Sequence, residues 1–563
     1  MKYRITFKLE GGGDHKVSAA FGENILALAI KAGVAIDAPC SGNGTCGKCR
    51  LRLISGIVDV DKNGHICDED FEDGWRLACQ SRVAGDAVLL VPAEAGAFKN
   101  GIQTADLSSP QETAMYEEAM RQIFSASLSE GTAGAAAGDF GLAIDIGTTT
   151  VTAALIELDT GRIAAKASAG NGQIRYGADV INRIIQSSKP GGREKLRRAI
   201  CEDTLVPMIH TLCREGNVAA EKIIRCVVAG NTTMEHLFVG ENAESIRLEP
   251  FVPAFLELHG KTAADVRLPI NPKAKMIFAP NVGSYVGGDI TAGALATMIW
   301  NSEDLMLFID LGTNGELVFG NSDFLLCCAC SAGPAFEGGD ISCGMRATHG
   351  AIESCTIDKE TMAPTYEIIG KAGTKPAGFC GSGLIDIISE LFRCGIISPN
   401  GKFVREGARV RRDDYTCSYI VAFADEAEHG RDIEITEIDI DNFIRAKGAI
   451  FSAIRSMLNS LDMTAQCIDH ILIAGGIGSG INIENAIHIG MLPKIELSKY
   501  RYIGNSSLMG ACAMLLSDGA TEKVFEIGRN MTYLELSTHP GYMDEFVAAC
   551  FLPHTDARLF DEE

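Results

Sequence analysis

Four cysteines near the start of the chain have a spacing that could hold a metal cluster. They are Cys40, Cys46, Cys49 and Cys79, the first three on the single loop APCSGNGTCGKC. Thiolates are the ligands of iron–sulfur clusters, and glycines at positions 42, 44 and 47 allow backbone amides of this loop to turn toward the sulfurs. The pattern therefore predicts an iron–sulfur cluster.

Two alternatives remain open for these thiols. A structural zinc site would also use cysteines, but such sites are usually built from pairs separated by two to four residues. Cys67, in the polar run DKNGHICDED, is a second candidate for the fourth ligand, although that run is typical of a loop. The spacing favours the cluster and favours Cys79.

Two further segments have the composition of phosphate-binding loops. Each is an apolar strand that ends in Asp-x-Gly-Thr, where amides and hydroxyls can wrap a phosphate and the aspartate can organise Mg²⁺ through water. The first copy comprises Asp145, Gly147, Thr148 and Thr149, and the second comprises Asp310, Gly312, Thr313, Asn314 and Gly315. Either turn alone is more often an ordinary hairpin.

A glycine-rich turn toward the C-terminal end adds a third piece. The run IAGGIGSG, residues 473–480, lies between a predicted strand and a predicted helix, where bare backbone can approach an adenine and a ribose. Its glycines are Gly475, Gly476 and Gly478. The three pieces together, in this order, predict one ATP site.

Acidic residues are the candidates for ordering Mg²⁺ and the attacking water. Asp145 and Asp310 end the two predicted strands, and Asp289 lies ahead of a predicted helix in VGGDITAG. Glu316 is a further candidate. Helix capping explains Asp289 about as well, and a solvated turn explains Glu316 better.

The order of predicted elements places these residues in separate domains. Residues 1–94 show strand patterns at 3–9 and 15–19 and a helix pattern at 24–31, which indicates a small α+β domain. Residues 95–139, rich in small residues, are predicted to be a flexible linker with one helix near 114–124 and a root-mean-square reach of roughly 35–40 Å.

The rest of the chain is predicted to be α/β, because apolar β-rich runs alternate with helical patterns. The likeness of IDIGTTT, from Ile144, to IDLGTNG, from Ile309, predicts a duplicated subdomain. The expected division is a first subdomain over residues 140–300 and a second over residues 301–563.

Composition excludes several classes of protein. The chain has 563 residues, of which 46% are hydrophobic and 22% charged, as expected for a folded protein of several domains. A net charge of −23 disfavours nucleic acid and anionic membrane surfaces as partners. The start, MKYRITFKLE, lacks the pattern of a signal peptide, and no apolar run is long enough to span a membrane. A cytoplasmic protein with reduced thiols is predicted.

Other conspicuous residues have a structural interpretation beside the functional one. Alternation in a predicted strand puts Cys328 and Cys330 on one face, where buried thiols are favoured over a second cluster. The same applies to Cys327, Cys343, Cys380 and Cys394. Arg175 and Asp179 are candidates for a partner or nucleotide surface, with a surface salt bridge as the equal alternative.

Both site patterns resemble known families. The cysteine segment resembles plant-type 2Fe-2S ferredoxins of β-grasp fold, which implies cluster ligation by Cys40, Cys46, Cys49 and Cys79, although five residues rather than four separate the first two. The three ATP pieces resemble the phosphate-1, phosphate-2 and adenosine motifs of the superfamily of actin, the heat-shock chaperone ATPases and the sugar kinases. That resemblance implies two ribonuclease-H-like halves closing on Mg-ATP, with hinge motion coupled to hydrolysis.

The combination of the two resembles the reductive activators of corrinoid proteins. Further stretches of that family's character lie at residues 171–184, 227–238, 331–347 and 378–386. The resemblance implies one-electron transfer from the cluster to Co(II), giving Co(I), driven by ATP hydrolysis. The implied partners are a corrinoid protein of a methyltransferase system and a low-potential electron donor. The oligomeric state is left open, a homodimer included.

Two other functions remain as alternatives. A small-molecule kinase with a redox-sensing ferredoxin head would bind a phosphoryl acceptor beside ATP. An ATP-gated interaction protein without catalytic function would use the cluster only for stability or sensing. ATP turnover stimulated by a small molecule would favour the kinase, whereas stimulation by a protein would favour the activator or the interaction protein.

Overall fold

The computed structural model describes residues 2–560 apart from several short segments. Those outside the description are residues 11, 35, 37, 39–41, 43, 45, 61–64, 67, 93–101, 106, 108–109, 127–135, 413–416 and 477–479. The predicted ligand Cys40, its alternative Cys67 and the predicted nucleotide residue Gly478 therefore lie outside the described residues.

The N-terminal domain is a five-stranded sheet with two helices. Its elements are β1 (Lys2–Leu9), β2 (Asp14–Ala20), α1 (Ile25–Lys31), β3 (Arg50–Val60), α2 (Asp68–Glu72), β4 (Trp75–Leu77) and β5 (Ser81–Val91). The strand order is β2-β1-β5-β3-β4, with β1 and β5 parallel. Asn24 caps α1 by accepting from Ala27 N, and its amide also donates to Cys79 O at 2.7 Å. The two strands and the helix predicted here are confirmed.

The second domain begins with a strand and helix that precede its central sheet. Its elements are β6 (Gln103–Thr104), α3 (Pro110–Ser125), β7 (Phe140–Ile146), β8 (Thr150–Glu157), β9 (Ile163–Gly170), α4 (Val180–Ser187), α5 (Gly192–Ile200), α6 (Val206–Glu215), β10 (Ile223–Gly230), α7 (Thr232–Val239), β11 (Lys275–Phe278) and α8 (Gly288–Thr297). The strand order is β11-β10-β7-β8-β9-β6.

The third domain has a second six-stranded sheet and two small ones. Its elements are β12 (Met306–Leu311), β13 (Gly315–Gly320), β14 (Leu325–Cys330), β15 (Ala351–Ile357), β16 (Pro364–Ile368), β17 (Gly378–Phe379), α9 (Gly381–Arg393), β18 (Val410–Arg412), β19 (Cys417–Ala422), β20 (Ile433–Thr436), α10 (Glu437–Ser460), β21 (His470–Ala474), α11 (Ile483–His488), β22 (Tyr500–Gly504), α12 (Ser506–Leu516), α13 (Asp518–Asn530), β23 (Thr532–Tyr533) and α14 (Tyr542–Ala549). The large sheet has the order β22-β21-β12-β13-β14-β23.

The two large sheets repeat one topology, which confirms the predicted duplication. In the first, β7, β8 and β9 form an antiparallel meander, and β10 and β11 add in parallel beside β7. In the second, β12, β13 and β14 form the meander, and β21 and β22 add beside β12. The loops β7–β8 and β12–β13, which carry the two Asp-x-Gly-Thr turns, are therefore equivalent positions.

Helices α8 and α12 pack between the two sheets. Their close approach depends on glycine, since a Cβ at Gly510 would lie 2.0 Å from Ala292 O and one at Gly293 would lie 2.8 Å from the Phe308 ring. Both helices share one buried core with Val227 of the first sheet and Leu472 of the second. Among the described residues, no helix is both long and apolar enough to cross a membrane.

The described part of the linker predicted over residues 95–139 contains a short strand and a helix. Strand β6 pairs with β9, and the predicted helix is confirmed as α3, with Ile123 fully buried and the Tyr116 hydroxyl donating to Gly161 O at 2.9 Å. The apolar face of α3 packs on α8 and α12, a surface that composition could not reveal.

Candidate functional site

The two predicted phosphate loops meet face to face at the junction of the second and third domains. Thr149 Oγ1 and Thr313 Oγ1 lie 2.8 Å apart. Each turn is closed by its own backbone hydrogen bond. Gly147 N donates to Thr150 O at 3.0 Å, and Gly312 N donates to Asn314 O at 3.0 Å. The arrangement matches the expectation that the two loops face each other across one site.

Buried side chains from other segments hold the first phosphate loop. Asn171 Nδ2 donates to Gly147 O at 2.9 Å, and Asn231 Nδ2 donates to Thr148 Oγ1 at 2.9 Å. Arg183, which is fully buried, donates from Nη2 to Thr148 O at 2.6 Å. Removal of this guanidinium from water lowers the pKa of Arg183 to about 9. These contacts give the family-like stretch 171–184 a structural role.

The residues singled out in that stretch from sequence lie elsewhere. Arg175 forms an ion pair with Asp203, and both side chains are about half exposed. Asp179 caps α4, with its carboxylate accepting from Asn182 N at 2.8 Å. Neither residue contacts the phosphate loops. The predicted surface salt bridge is confirmed for Arg175. Arg183, which does contact a phosphate loop, is the residue that sequence reasoning missed.

The second phosphate loop is held by the family-like stretch 331–347. Thr313 Oγ1 donates to Glu337 Oε2 at 3.1 Å. Because a hydroxyl has one proton, Thr149 is the donor in its contact with Thr313. Arg346 Nη2 also reaches Thr149 O at 3.4 Å. One segment of the third domain therefore contacts both loops.

Four carboxylates gather behind the phosphate loops. Asp145 accepts from Asn505 Nδ2 at 2.8 Å and from Ser507 Oγ at 2.9 Å, both at the start of α12. Burial raises the pKa of Asp145, and these two bonds oppose the rise. The other members are Asp289, Asp310 and Glu316, which interact electrostatically with one another.

The cluster of acids titrates far above the usual carboxylate range. Burial, and then the charges of Asp310 and Asp145, raise the pKa of Asp289 to about 8. Burial, and then the charges of Asp145 and Glu337, raise the pKa of Asp310 to about 7. Glu316 is buried and the three aspartates are partly buried. Such a concentration of negative charge would attract a hydrated divalent cation, which would lower these pKa values.

One sequence interpretation changes at this cluster. Glu316 lies on β13 and is buried, not in a solvated turn, and burial followed by the charges of Asp289 and Asp310 raises its pKa. Asp289 lies in the first turn of α8, whose N-cap is Gly287, and its carboxylate accepts from Ile290 N at 2.9 Å. Both interpretations of Asp289, a residue that binds a helix terminus and a site acid, therefore fit its position.

The glycine-rich turn abuts the second phosphate loop. Gly475 has φ of +100°, and a Cβ there would lie 2.2 Å from Leu311 O and 3.0 Å from Asp310 Oδ1, so glycine is required. A Cβ at Gly476 would meet no atom within 4 Å. Packing therefore explains Gly475, whereas no described neighbour restricts the residue at position 476.

Three of the four predicted cluster ligands lie together in the N-terminal domain. Cys46 and Cys49 are buried at 0% and 1% exposure and Cys79 at 7%. The side-chain hydrogen bond with Cys79, followed by burial, raises the pKa of Cys49. The backbone N–H of Cys79, which donates to Cys49 Sγ at 3.5 Å, opposes that rise. Within the described residues, no three potential ligand side chains are arranged to hold a metal ion; Cys40 is not among them.

The loop around these thiols has the backbone that a cluster requires. Gly42, Gly44 and Gly47 all have positive φ, at +92°, +79° and +65°. A Cβ at Gly44 would lie 2.5 Å from Gln80 Nε2, and one at Gly47 would lie 3.0 Å from the His65 ring. Three neighbouring buried thiols in a glycine-shaped loop fit a thiolate-ligated cluster.

The same loop docks on the third domain. Lys48, between Cys46 and Cys49, donates from Nζ to Gly344 O at 2.7 Å and also to Gly338 O. His65 Nδ1 lies 3.2 Å from Ser342 Oγ, and the Arg431 guanidinium lies 5.3 Å from the Trp75 ring centroid. The N-terminal domain therefore contacts the segment that also holds Thr313.

Of the other cysteines singled out from sequence, five are buried core residues, and Cys343 is only partly buried. On β14, Cys328 and Cys330 join the core of the third domain, whereas Cys327 faces the core between the two large sheets. The predicted alternation along this strand is confirmed, and Cys380 and Cys394 also belong to buried packing.

Three protein-family models match the chain in succession. They are described as the 2Fe-2S iron-sulfur cluster binding domain, over residues 9–84, the RACo middle region, over residues 140–302, and the C-terminal domain of RACo, the ASKHA domain, over residues 304–563. The solved structure of a reductive activator for corrinoid, iron-sulfur protein covers 99% of this chain and 99% of its own, with 39% identity and a TM-score of 0.70. The corrinoid activation enzyme RamQ of Eubacterium limosum is 37% identical over 72% of this chain and 69% of its own.

This chain belongs to the reductive activators of corrinoid proteins. A more distant relative is a Methanosarcina barkeri reductase named for a Co(II) methylated amine-specific corrinoid protein, 23% identical over 70% of this chain and 73% of its own. The family resemblance and the fold class predicted from sequence are confirmed. In this activator the N-terminal domain is a 2Fe-2S cluster binding domain, and the α/β part is an ATPase-type domain of the actin and chaperone superfamily.

Proposed function

We propose that this activator reduces the Co(II) of a corrinoid protein to Co(I) with an electron from its 2Fe-2S cluster, and that ATP hydrolysis drives the step. The cobalt gains one electron, the cluster loses one, and a low-potential donor restores it. The observation that carries the proposal is the presence, in one chain, of a thiol-bearing ferredoxin loop that contacts the third domain and of two facing phosphate loops. The names of the similar proteins support the choice of a corrinoid acceptor.

The proposed cluster ligands are Cys40, Cys46, Cys49 and Cys79. A bound cluster of this type supplies one electron near roughly −400 mV. The residues around it set its surroundings: burial of the thiols excludes water, and Gln80 Nε2 lies 3.8 Å from Cys79 Sγ as a donor to a thiolate.

The proposed nucleotide site uses both phosphate loops and the glycine-rich turn. Hydroxyls of Thr148, Thr149 and Thr313 and the backbone amides of the loops would bind the phosphates. The adenosine would lie against Gly475, Gly476 and Gly478. Asp145, Asp289 and Asp310 would hold Mg²⁺ through its bound waters, because within the described residues no three such side chains are arranged to bind a metal ion directly. The same carboxylates would order the attacking water.

ATP is needed because the electron moves energetically uphill. Every 100 mV of unfavourable potential costs about 2.3 kcal/mol per electron. Hydrolysis can offset that cost only if the ATP-bound and the nucleotide-free activator differ in their affinity for the Co(II) and Co(I) forms of the corrinoid protein. The contact between the two domains offers a physical route for that difference.

The test measures the rate of ATP hydrolysis by the cluster-reconstituted activator, with and without a corrinoid protein, under anoxic conditions. Turnover should rise when the corrinoid protein carries Co(II) and should not rise when the same protein is methylated. Stimulation by sugars or other small molecules, with no response to either corrinoid state, would contradict the proposal and favour a kinase.

A further inference from the structure

The docking contact lies one residue from the nucleotide site. Glu337 accepts from the Thr313 hydroxyl, and the next residue, Gly338, offers its carbonyl to Lys48 of the ferredoxin domain. Gly344, at the other end of the same turn, accepts from Lys48 at 2.7 Å. We call residues 337–345 the docking loop.

The two ends of the docking loop are in contact. Gly338 has φ of +73°, and a Cβ there would lie 2.4 Å from Met345 N. Gly344 N donates to Ile341 O within the loop at 3.0 Å, whereas Met345 N donates to Phe379 O on β17 at 2.7 Å. Because Glu337 is bonded directly to Gly338, a displacement of Glu337 shifts the Gly338 carbonyl that accepts from Lys48.

Further contacts tie the ferredoxin domain to this loop. Ser342 donates from its backbone and hydroxyl to Asp439 Oδ1 at 2.7 and 3.0 Å, and its hydroxyl lies against His65. His65 in turn packs on Gly47 of the thiol-bearing loop. The surface of the ferredoxin domain nearest Cys46 and Cys49 is thus covered by the third domain.

A nucleotide phosphate would compete with Glu337 for Thr313. The Thr313 hydroxyl has one proton, which it gives to the Glu337 carboxylate, and a phosphate oxygen at the same loop is an equally charged acceptor. Two anions cannot share that proton, and they repel each other. Nucleotide binding therefore favours a displaced Glu337.

We propose that the docking loop is a nucleotide-controlled latch for the ferredoxin domain. In the docked arrangement Lys48 and His65 hold the thiol-bearing loop against the third domain, which covers the route by which an electron would leave the cluster. Nucleotide phosphates at Thr313 displace Glu337, the carbonyls of Gly338 and Gly344 move from Lys48, and the ferredoxin domain is released toward its acceptor. The inference rests on the proposed function, because it takes ATP as the ligand of the phosphate loops.

The experiment is hydrogen–deuterium exchange of the full-length, cluster-loaded protein under anoxic conditions, with and without Mg-ATP. Peptides covering the docking loop and Lys48 should exchange about tenfold faster or more with nucleotide, since a hydrogen bond from a charged donor is worth about a tenfold change in an equilibrium. ATP binding is measured in the same samples by calorimetry. Binding without faster exchange would overturn the latch alone, whereas no binding would overturn the nucleotide site of the proposed function as well.

Variants distinguish release of the ferredoxin domain at this interface from a general destabilisation of the protein. Lys48→Met should give fast exchange in the docking loop without nucleotide and bind ATP up to about tenfold more tightly, because release and binding are linked. Lys16→Met, on an exposed strand of the same domain, should match the wild type. Arg431→Met weakens docking at Trp75, away from the loop, and should reproduce the effect in part. Unchanged exchange and affinity in both interface variants, with the cluster spectrum intact, would contradict the proposal.

Discussion

The hydroxyls of Thr149 and Thr313 lie 2.8 Å apart although 164 residues separate them in the chain. Each sits at the same turn of a duplicated sheet, so the two halves of the ATPase-type domain meet through equivalent loops. Thr313 also donates to Glu337, next to the loop that holds the ferredoxin domain. A single threonine therefore lies between the two phosphate loops and the interdomain contact.

Replacement of Thr313 by valine should impair ATP turnover while sparing the cluster. Valine keeps the volume but removes the hydroxyl, and a hydrogen bond to a charged group is worth roughly tenfold or more. Anoxic phosphate-release assays should show a fall in kcat of about tenfold or more, with an unchanged visible spectrum. Thr160→Val, at an exposed turn, is the control; equal turnover in the two variants would contradict the assignment.

Replacement of Cys46 by serine should remove the cluster and leave nucleotide binding. A serine hydroxyl is a poor substitute for a thiolate ligand, so the visible absorption and electron transfer should be lost. Calorimetric ATP affinity should stay within about twofold of wild type. Cys467→Ser, at an exposed cysteine, should keep both properties. A cluster of normal spectrum and retained electron transfer in the first variant would show that Cys46 is not a ligand.

Arg183→Met should destabilise the protein and weaken ATP binding more than catalysis. The substitution leaves the carbonyls of Thr148 and Gly177 without their buried donor, which costs roughly 2–5 kcal/mol of unfolding free energy. Because Arg183 positions the loop, KM for ATP should rise more than kcat falls. Arg175→Met, at an exposed ion pair in the same segment, should change unfolding by less than about 1 kcal/mol. Similar losses of unfolding free energy and of ATP binding in the two variants would contradict the role of Arg183 in positioning the phosphate loop.

Asp310 should make stability depend on pH in an unusual direction. Its pKa is raised from 3.8 to about 7 in the folded protein, so between those values the folded state retains a proton that the unfolded state releases. The unfolding free energy therefore falls as pH rises through that window, by at most about 4 kcal/mol for this group at about 1.4 kcal/mol per pKa unit.

The check is thermal unfolding of Asp310→Asn and wild type from pH 4 to pH 8 without Mg²⁺. Relative to wild type, the variant should gain stability steadily as pH rises, and Mg²⁺ should reduce the difference by stabilising wild type. Asp323→Asn, at an exposed loop position, should show no such trend. A constant difference across the range would mean that Asp310 ionises normally.

Local patterns were sufficient to predict which segments the fold brings together at the two candidate sites. The glycines beside Cys46 and Cys49 and the paired Asp-x-Gly-Thr turns are short, and their chemistry depends on immediate neighbours. The duplication has a second trace in the sequence: VGGDITAGALA at residues 286–296 and IGNSSLMGACA at residues 503–513 form the equivalent helices α8 and α12. In this correspondence Asp289 is equivalent to Ser506, and the next residue, Ser507, donates to Asp145.

Residues that act through distant contacts could not be predicted from sequence. Arg183 resembles any other arginine on an amphipathic helix, and only the fold brings it beneath Thr148. Lys48 meets Gly338 across 290 residues, a contact set by how whole domains pack. The docking of α3 likewise depends on an apolar surface formed by two later helices. Such pairings require the assembled tertiary structure.

The most direct test of the central claim is anoxic visible spectroscopy of a corrinoid protein from the same organism, mixed with this activator and a reductant. With Mg-ATP, the absorption band of Co(I) should appear, and it should be absent without nucleotide and with Cys46→Ser. Formation of Co(I) at the same rate with and without Mg-ATP would contradict ATP-driven reduction. No Co(I) with any corrinoid protein of the organism, while the cluster is intact and reduced, would contradict a corrinoid acceptor.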